Sequence, residues 1–265
     1  MNGKLINPIF QRLALLVGAN ALNALESSHA FIFGLGGVGS WCAEGLVRSG
    51  MGSISIIDYD TVAVSNINRQ VQATNSTRGE FKAEALKRRL LDINPACNVT
   101  VFNEKFSKEN AGMFGLDRAD YVIDAIDSLE NKLDLIEITA SYGKKLFSSM
   151  GMARKLDPSM IQIADIWKTH GCPLARLVRS GLRKRGFSGN FTTVFSPELI
   201  TEQYDLGFLW GSAKCSCDTE FNYYEDEEKQ ESSKKIFNGS AVIVTACAGM
   251  TLASLVIRAV CEQKN

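Results

Sequence analysis

The stretch from Ala30 to Asp60, AFIFGLGGVGSWCAEGLVRSGMGSISIIDYD, restricts the fold of this chain more than any other. Ala30 to Phe33 is a short apolar run that leads into Gly34-Leu35-Gly36-Gly37-Val38-Gly39, a GxGxxG spacing. Ser40 to Arg48 then has the period of a helix burying Ala43, Leu46 and Val47, and Ser53 to Ile57 is a second apolar strand ending at Asp58. Two strands with a helix between them make a βαβ unit, because parallel strands need a crossover that a hairpin turn cannot supply. Glycines at such a turn let backbone N–H groups approach a phosphate at a helix N-terminus. An acid about 20 residues further on is placed to accept hydrogen bonds from a ribose. Gly34, Gly36, Gly37, Gly39 and Asp58 are therefore candidate nucleotide ligands, and the alternative is a tight turn that serves packing only.

The unit repeats along the chain. Arg78 to Asn94 reads as a helix with Leu86, Leu90 and Ile93 inward, Asn98 to Phe102 as a third strand, and Ser107 to Phe114 as a short helix capped by Ser107. Tyr121 to Ala125 is a fourth strand, followed by a helix whose apolar face is Leu129, Leu133 and Ile136, and Leu146 to Met150 is a fifth strand. This alternation predicts an α/β fold with a doubly wound, mostly parallel sheet. Met160 to Ile166 and Phe191 to Phe195 add a strand-containing C-terminal part. With 265 residues, 45% of them apolar, the chain suffices for a single domain with one buried core. We divide it into a nucleotide-binding core at about 28–150, a substrate-side region at about 151–200, a mobile acidic insertion at about 208–236 and a C-terminal helix over 238–262.

Charge narrows the choice of partners. Lys plus Arg and Asp plus Glu both number 29, so contact with nucleic acid needs a local patch. Such a patch exists on the helix that Pro173 opens, where Arg176, Arg179, Arg183, Lys184 and Arg185 have no acidic partner within the helix. A phosphate-contacting surface and a solvated face account for it equally well. Seven scattered cysteines fit reduced thiols in a cytoplasm, and no apolar leader segment opens the chain. Residues 238–257 carry no charge, but their glycines, serines and threonines predict a buried helix and no integral membrane segment.

Single residues remain ambiguous by local evidence. Arg12 lies on a helical segment, Asn7 to Glu26, with Phe10, Leu13, Leu16 and Val17 apolar, and a solvated arginine explains it. Lys82 shares the inward face of Leu86, where it either snorkels or points at a buried anion. Asp127 and Ser128 stand between a strand and a helix, as a cap would. The polar loop over 61–77 leaves the carboxyl end of a strand, where open α/β sheets bind ligands.

Taken together, GLGGVGS (34–40), DYDTVAVSNINRQ (58–70), Lys82 and DAIDS (124–128) resemble the ubiquitin-activating-enzyme-like superfamily of ATP-dependent adenylating enzymes. The resemblance implies ATP and Mg²⁺ as cofactors. It implies that Asp58 holds the ribose and that Asp60, Ser65, Asn66, Asn68, Arg69 and Gln70 line the nucleotide. Lys82 falls on the triphosphate, Asp127 on the magnesium site with Ser128 beside it, and Arg12 on the arginine that homodimers of the family reach across to the partner's ATP. Arg12, Arg69, Lys82 and Asp127 are on this view the catalytic set. The motifs DINPAC (92–97), KLDPSMIQIADI with KT (155–169), CPLAR (172–176) and VFSPE (194–198) are similar to the branch that dehydrates threonylcarbamoyladenosine in tRNA. This implies tRNA as partner, met by the basic helix, and a carboxylate activated as its adenylate, which the carbamoyl nitrogen attacks in the same molecule. Two alternatives stand beside it, adenylation of the C-terminal glycine of a ubiquitin-like sulfur carrier and a nicotinamide-dependent oxidoreductase. Cys215-x-Cys217 is one residue too close for the paired CxxC zinc motifs of the carrier-activating branches, so no zinc is expected. No cysteine precedes the final helix over 232–240, which leaves a sulfur-transfer partner open.

Overall fold

The computed structural model describes residues 6–199 and 238–262. At its centre β1 (His29–Phe33) pairs in parallel with β2 (Ser53–Ile57) on one side and with β4 (Tyr121–Asp124) on the other. Outward from these lie β3 (Asn98–Phe102) beside β2 and β5 (Lys145–Ser149) beside β4, both parallel. Then β7 (Thr192–Phe195) joins β5 in parallel, and β6 (Gln162–Asp165) closes that edge antiparallel to β7. The order is β3-β2-β1-β4-β5-β7-β6. The doubly wound sheet expected from the alternation is present, and the two later strands extend it.

Side chains alternate across a strand, and β1 shows how this builds two cores. Ala30 and Ile32 face the layer of α2 (Gly39–Arg48), α3 (Lys82–Ile93) and α6 (Val242–Glu262), packed among Ala43, Leu46, Leu86, Leu90, Leu252 and Val256. Phe31 and Phe33 face α4 (Leu129–Ser141) and α5 (Pro173–Lys184), with Leu133, Ile136, Val178 and Leu182. The winding reverses between β1 and β4, so the segments leaving their carboxyl ends diverge and open a crevice.

Three helices depart from the sequence expectation. α1 (Gln11–Glu26) is broken at Gly18, whose φ of 82° takes the chain out of the helical region. Only its second half docks fully, through Ala21, Leu22 and Leu25. Leu15 and Leu16 are 89% and 81% exposed, so the apolar spacing that included Leu16 and Val17 is not a core face. α3 begins at Lys82 instead of Arg78, because the preceding residues are zipped onto the loop after β2. Val62 N donates to Glu80 O at 2.8 Å and Lys82 N to Asp60 O at 2.9 Å. The short helix after β3 is a 3₁₀ turn over Ala111–Phe114, and Ser107 does not cap it; Ser107 N donates to Asn110 Oδ1 instead. The acidic insertion over 208–236, with Cys215 and Cys217, lies outside the described residues.

The uncharged C-terminal stretch forms α6. By length and composition it would cross a bilayer. Val244, Leu252, Val256 and Val260 are instead buried in the protein, each contributing about 1.5–3 kcal/mol on transfer from water. Close approach to α2 depends on small residues. A Cβ on Gly249 would stand 2.4 Å from Val38 O and 2.9 Å from Trp41 Cβ, and one on Gly45 would stand 3.0 Å from Ala253 Cβ. Gly249→Ala should therefore push α6 away from the start of α2 and cost about 1–3 kcal/mol, read as a lower urea midpoint. An unchanged midpoint would mean that the two helices part without loss.

Candidate active site

The carboxyl ends of β1, β2 and β4 bring Asp58, Asp60 and Lys82 together beside the glycine turn, with Asp127 following β4. The floor of the crevice is the glycine turn. Gly34 has φ of 87°, and a Cβ there would stand 2.7 Å from Ala125 O, so only glycine fits between the ends of β1 and β4. Gly36 meets no protein atom within 4 Å in the Cβ direction, which leaves open space beside the start of α2. A Cβ on Gly37 would stand 3.0 Å from Thr245 Cβ of α6 and one on Gly39 would stand 1.9 Å from Gly34 O, so both are positions of close packing. No side chain caps α2, so its first N–H groups are not taken by a capping residue.

Asp58 is buried and ties the turn to the loop beyond β2. Its Oδ2 accepts Leu35 N at 2.6 Å and its Oδ1 accepts Asp60 N at 2.9 Å. Burial pushes its carboxyl up from the ordinary value, against the pull of Lys82 and these two amide donors. Asp60 in turn accepts Lys82 Nζ at 2.6 Å. The Lys82 side chain is 7% exposed and its partner 47%, so the lysine is not snorkelling; a buried stem aims its ammonium at the crevice. Tyr59, between Asp58 and Asp60 in the chain, is 51% exposed; its hydroxyl is pushed up by burial first and then by the charges of Asp60, Asp127 and Asp58.

The loop after β2 is ordered by its own side chains. Asn66 is buried with Oδ1 accepting Ala63 N at 3.1 Å, which commits that oxygen to the loop. Arg69 donates to Ser65 O at 2.8 Å and to Asn68 Oδ1 at 2.9 Å, and burial lowers its guanidinium from the ordinary value. Asn68 Nδ2 donates to Ser240 O at 2.9 Å, and Trp41 Nε1 to Arg69 O at 2.9 Å, binding the loop to the approach to α6 and to α2. Gln70 is buried with Oε1 unpartnered among the described residues. Gln72, absent from the sequence-based set, donates through Nε2 to Leu35 O at 2.9 Å and so holds the glycine turn from above. A buried glutamine two residues past the NINRQ motif gives no periodic signal that would have marked it.

Asp127 and Ser128 follow β4 and are both exposed. Ser128 occupies the N-cap position of α4, yet its side chain makes no capping hydrogen bond, and Asp127 is not a cap either. Among the described residues no three His, Cys, Asp or Glu side chains cluster to hold a metal. Arg12 is exposed near the start of α1. Two residues before it, Phe10 packs about 3.6 Å from where a Gly50 Cβ would stand, beyond the C-terminal end of α2. The ten residues of α2 span about 15 Å, so Phe10, the buried anchor of this segment, sits at the end of α2 away from the glycine turn.

The basic helix divides. Arg176, Arg183 and Lys184 are exposed, with Arg183 stacked 5.3 Å over the Trp167 ring, whereas Arg179 is half-buried and donates to Thr169 Oγ1. Arg185 does not belong to a free face: it pairs with Asp134 at 2.7 Å, with Glu137 at 2.8 Å and with Glu130, all on α4. The acids it lacked within its own helix come from the neighbouring one. Arg185→Ala should loosen α5 from α4, costing on the order of 1 kcal/mol, seen as a lower urea midpoint. A midpoint equal to the wild type would make these pairs ornamental to stability.

Known proteins share this sequence pattern and this fold. A model of the ThiF family matches residues 10–265. The tRNA threonylcarbamoyladenosine dehydratase of Bacillus subtilis is 42% identical over 189 residues, 71% of this chain and 74% of that one. The protein of the same name from Haemophilus influenzae is 35% identical over 257 residues, 97% of this chain and 94% of that one. The crystal structure of Escherichia coli tRNA N6-threonylcarbamoyladenosine dehydratase in complex with ATP is 31% identical and superposes with a TM-score of 0.80 over 98% of both chains. The same enzyme with AMP gives 0.82 over 99% of both.

Proposed function

The chain belongs to the ThiF family, and from that premise we propose that it binds ATP and dehydrates threonylcarbamoyladenosine in tRNA by way of an adenylated carboxylate. The observation that carries this reading is that Asp58, with the Asp60–Lys82 pair behind it, and the segment leading into Asp127 both meet one glycine turn at the switch point of the sheet. A nicotinamide enzyme has no use for a buried lysine and an exposed aspartate at its pyrophosphate. The sulfur-carrier alternative lacks its paired CxxC motifs.

The residues fit the nucleotide. The open face of Gly36 leaves room for phosphate oxygens beside the uncapped start of α2, whose dipole favours negative charge. Asp58, pinned by two amides, offers its remaining lone pairs to the ribose. Asp127 fits Mg²⁺, an ion bound through one or two carboxylates and the substrate's own phosphates, with waters completing the shell. When bound there, the ion neutralises phosphate charge. Lys82 and Arg69 bring cations to the α- and β-phosphates, where negative charge develops as pyrophosphate leaves and the substrate carboxylate takes AMP. The carbamoyl nitrogen then attacks the activated carbonyl, AMP departs, and the net loss from the nucleoside is one water. Arg176, Arg183 and Lys184 offer a surface to the tRNA backbone, in a cytoplasmic setting.

Incubation with ATP, Mg²⁺ and tRNA bearing threonylcarbamoyladenosine should remove one water from that nucleoside, read by mass spectrometry; an unaltered nucleoside would refute the proposal. Lys82→Ala and Arg69→Ala should each slow adenylate formation by about 10²-fold or more with little effect on folding, measured as ATP–pyrophosphate exchange. Exchange at the wild-type rate in either variant would remove that residue from the site.

The working unit on this reading is a homodimer in which Arg12 serves the partner's site. Support comes from Phe10, two residues before Arg12, sitting at the end of α2 away from the glycine turn, and from the exposed Leu15 and Leu16, which offer apolar area to a second copy. Heterodimers with Arg12→Ala in one subunit and Asp127→Ala in the other should keep one intact site and about half the activity. Activity as low as that of the two inactive homodimers would place Arg12 in its own subunit's site.

A further inference from the structure

Lys132 of α4 and Asp124 at the end of β4 form an ion pair with no access to water. Lys132 Nζ donates to Asp124 Oδ2 at 2.7 Å, to Ser149 O at 3.0 Å and to Ser148 Oγ at 3.4 Å, so all three of its protons have acceptors. Ser148 Oγ also donates to Asp124 Oδ2, at 2.5 Å. A buried pair of this kind gives no stability that well-packed apolar side chains would not give, because desolvation offsets the attraction. What it does supply is a fixed geometry, and the loop it fixes is the one that carries Asp127. The other oxygen of Asp124 accepts Ile126 N at 3.1 Å, Ala125 N donates to Phe33 O at 2.9 Å, and Ala125 O lies against Gly34. Ile126 is the residue immediately before Asp127.

We propose that Lys132 is a positioning residue: acting through Asp124, it sets where the Asp127 carboxylate stands relative to the phosphate turn, and thereby how strongly Mg²⁺ tightens the binding of ATP. The inference rests on the assignment of Asp127 to the Mg²⁺ of bound ATP made above. Neither Lys132 nor Asp124 touches the nucleotide, and both act on the backbone between β4 and α4.

The test is calorimetric titration of the full chain with ATP, with and without Mg²⁺, the ratio of the two dissociation constants being the readout. Lys132→Met/Asp124→Leu removes both charges together, so neither is left unpaired, and Ser148→Ala removes the hydrogen bond to Asp124 and the longer contact with Lys132 while leaving the ion pair in place. The double variant should melt cooperatively and bind metal-free ATP as the wild type does, while the tightening by Mg²⁺ falls about 10-fold. Ser148→Ala should lose about threefold of it. In both variants, amide hydrogen exchange over 125–128 should accelerate. Cooperative melting with wild-type Mg²⁺ tightening would overturn the proposal, as would any loss that the double substitution causes in a chain already carrying Asp127→Ala, since the effect must pass through Asp127. If the double variant does not fold, Ser148→Ala decides alone: reduced tightening supports the proposal and wild-type tightening overturns it. A wild-type protein whose ATP affinity ignores Mg²⁺ would instead overturn the Asp127 assignment and this inference with it.

Discussion

The two hydrogen bonds to the Asp58 carboxylate are the constraint from which the rest of the site follows. One oxygen takes the amide of Leu35 in the glycine turn and the other the amide of Asp60 in the next loop. Two segments that leave different strands are thus held at a fixed separation by one side chain. Asp60, so placed, receives both the amide and the ammonium of Lys82, and α3 starts where that pairing allows. A short chain of bonds therefore runs from the glycine turn to the Lys82 ammonium. Charge-assisted bonds of this kind are about twice as strong as neutral ones, which suits a loop that carries few apolar contacts of its own.

The end of the described chain is bound into the same site. Thr245 backs Gly37, Gly249 lies under Val38 O, and Ser240 O takes the Asn68 amide. α6 is thus a second wall of the phosphate turn as well as a filler of the core beneath α2. Its charges, Arg258 and Glu262, stand on exposed positions of the last turns, while the residues turned to α2 and the sheet, Val244, Ala248, Leu252 and Val256, are apolar and buried.

Much of this was legible before any coordinates. Strands with alternating or continuous apolar runs appear where periodicity puts them, β2 and β3 to the residue, because burial on a sheet leaves a period of two that nothing else in a sequence imitates. Lys82, by contrast, was ambiguous: an inward lysine at a helix start is equally a snorkelling one, and only the position of Asp60, fixed through Asp58, decides. α1 misled because spacing records which residues share a face and not whether that face has a neighbour. Gly18 breaks the helix, and of the apolar residues before it Phe10 and Leu13 reach the core while Leu15 and Leu16 are left exposed. Arg185 misled for a related reason, since its acids lie 48 to 55 positions earlier on α4, and no local pattern connects residues so far apart.

The two buried lysines show how burial separates a framework from a working group. Lys82 and Lys132 each pair with an aspartate of a strand end or the loop beyond it, at 2.6 and 2.7 Å. The difference lies in the partner. Asp60 is 47% exposed, so water can stabilise it when Lys82 turns to another anion, and exchanging a carboxylate for a phosphate leaves no buried charge alone. Asp124 is 0% exposed; were Lys132 to leave, its carboxylate would stand unpaired in the core, which costs about 3–5 kcal/mol when one partner of a buried pair is removed. Lys132 is therefore held in place by the same physics that leaves Lys82 able to exchange its partner for another anion. The sequence distinguishes them only weakly, both being lysines on apolar helix faces, and the exposure of the acid across from each is what tells the two roles apart.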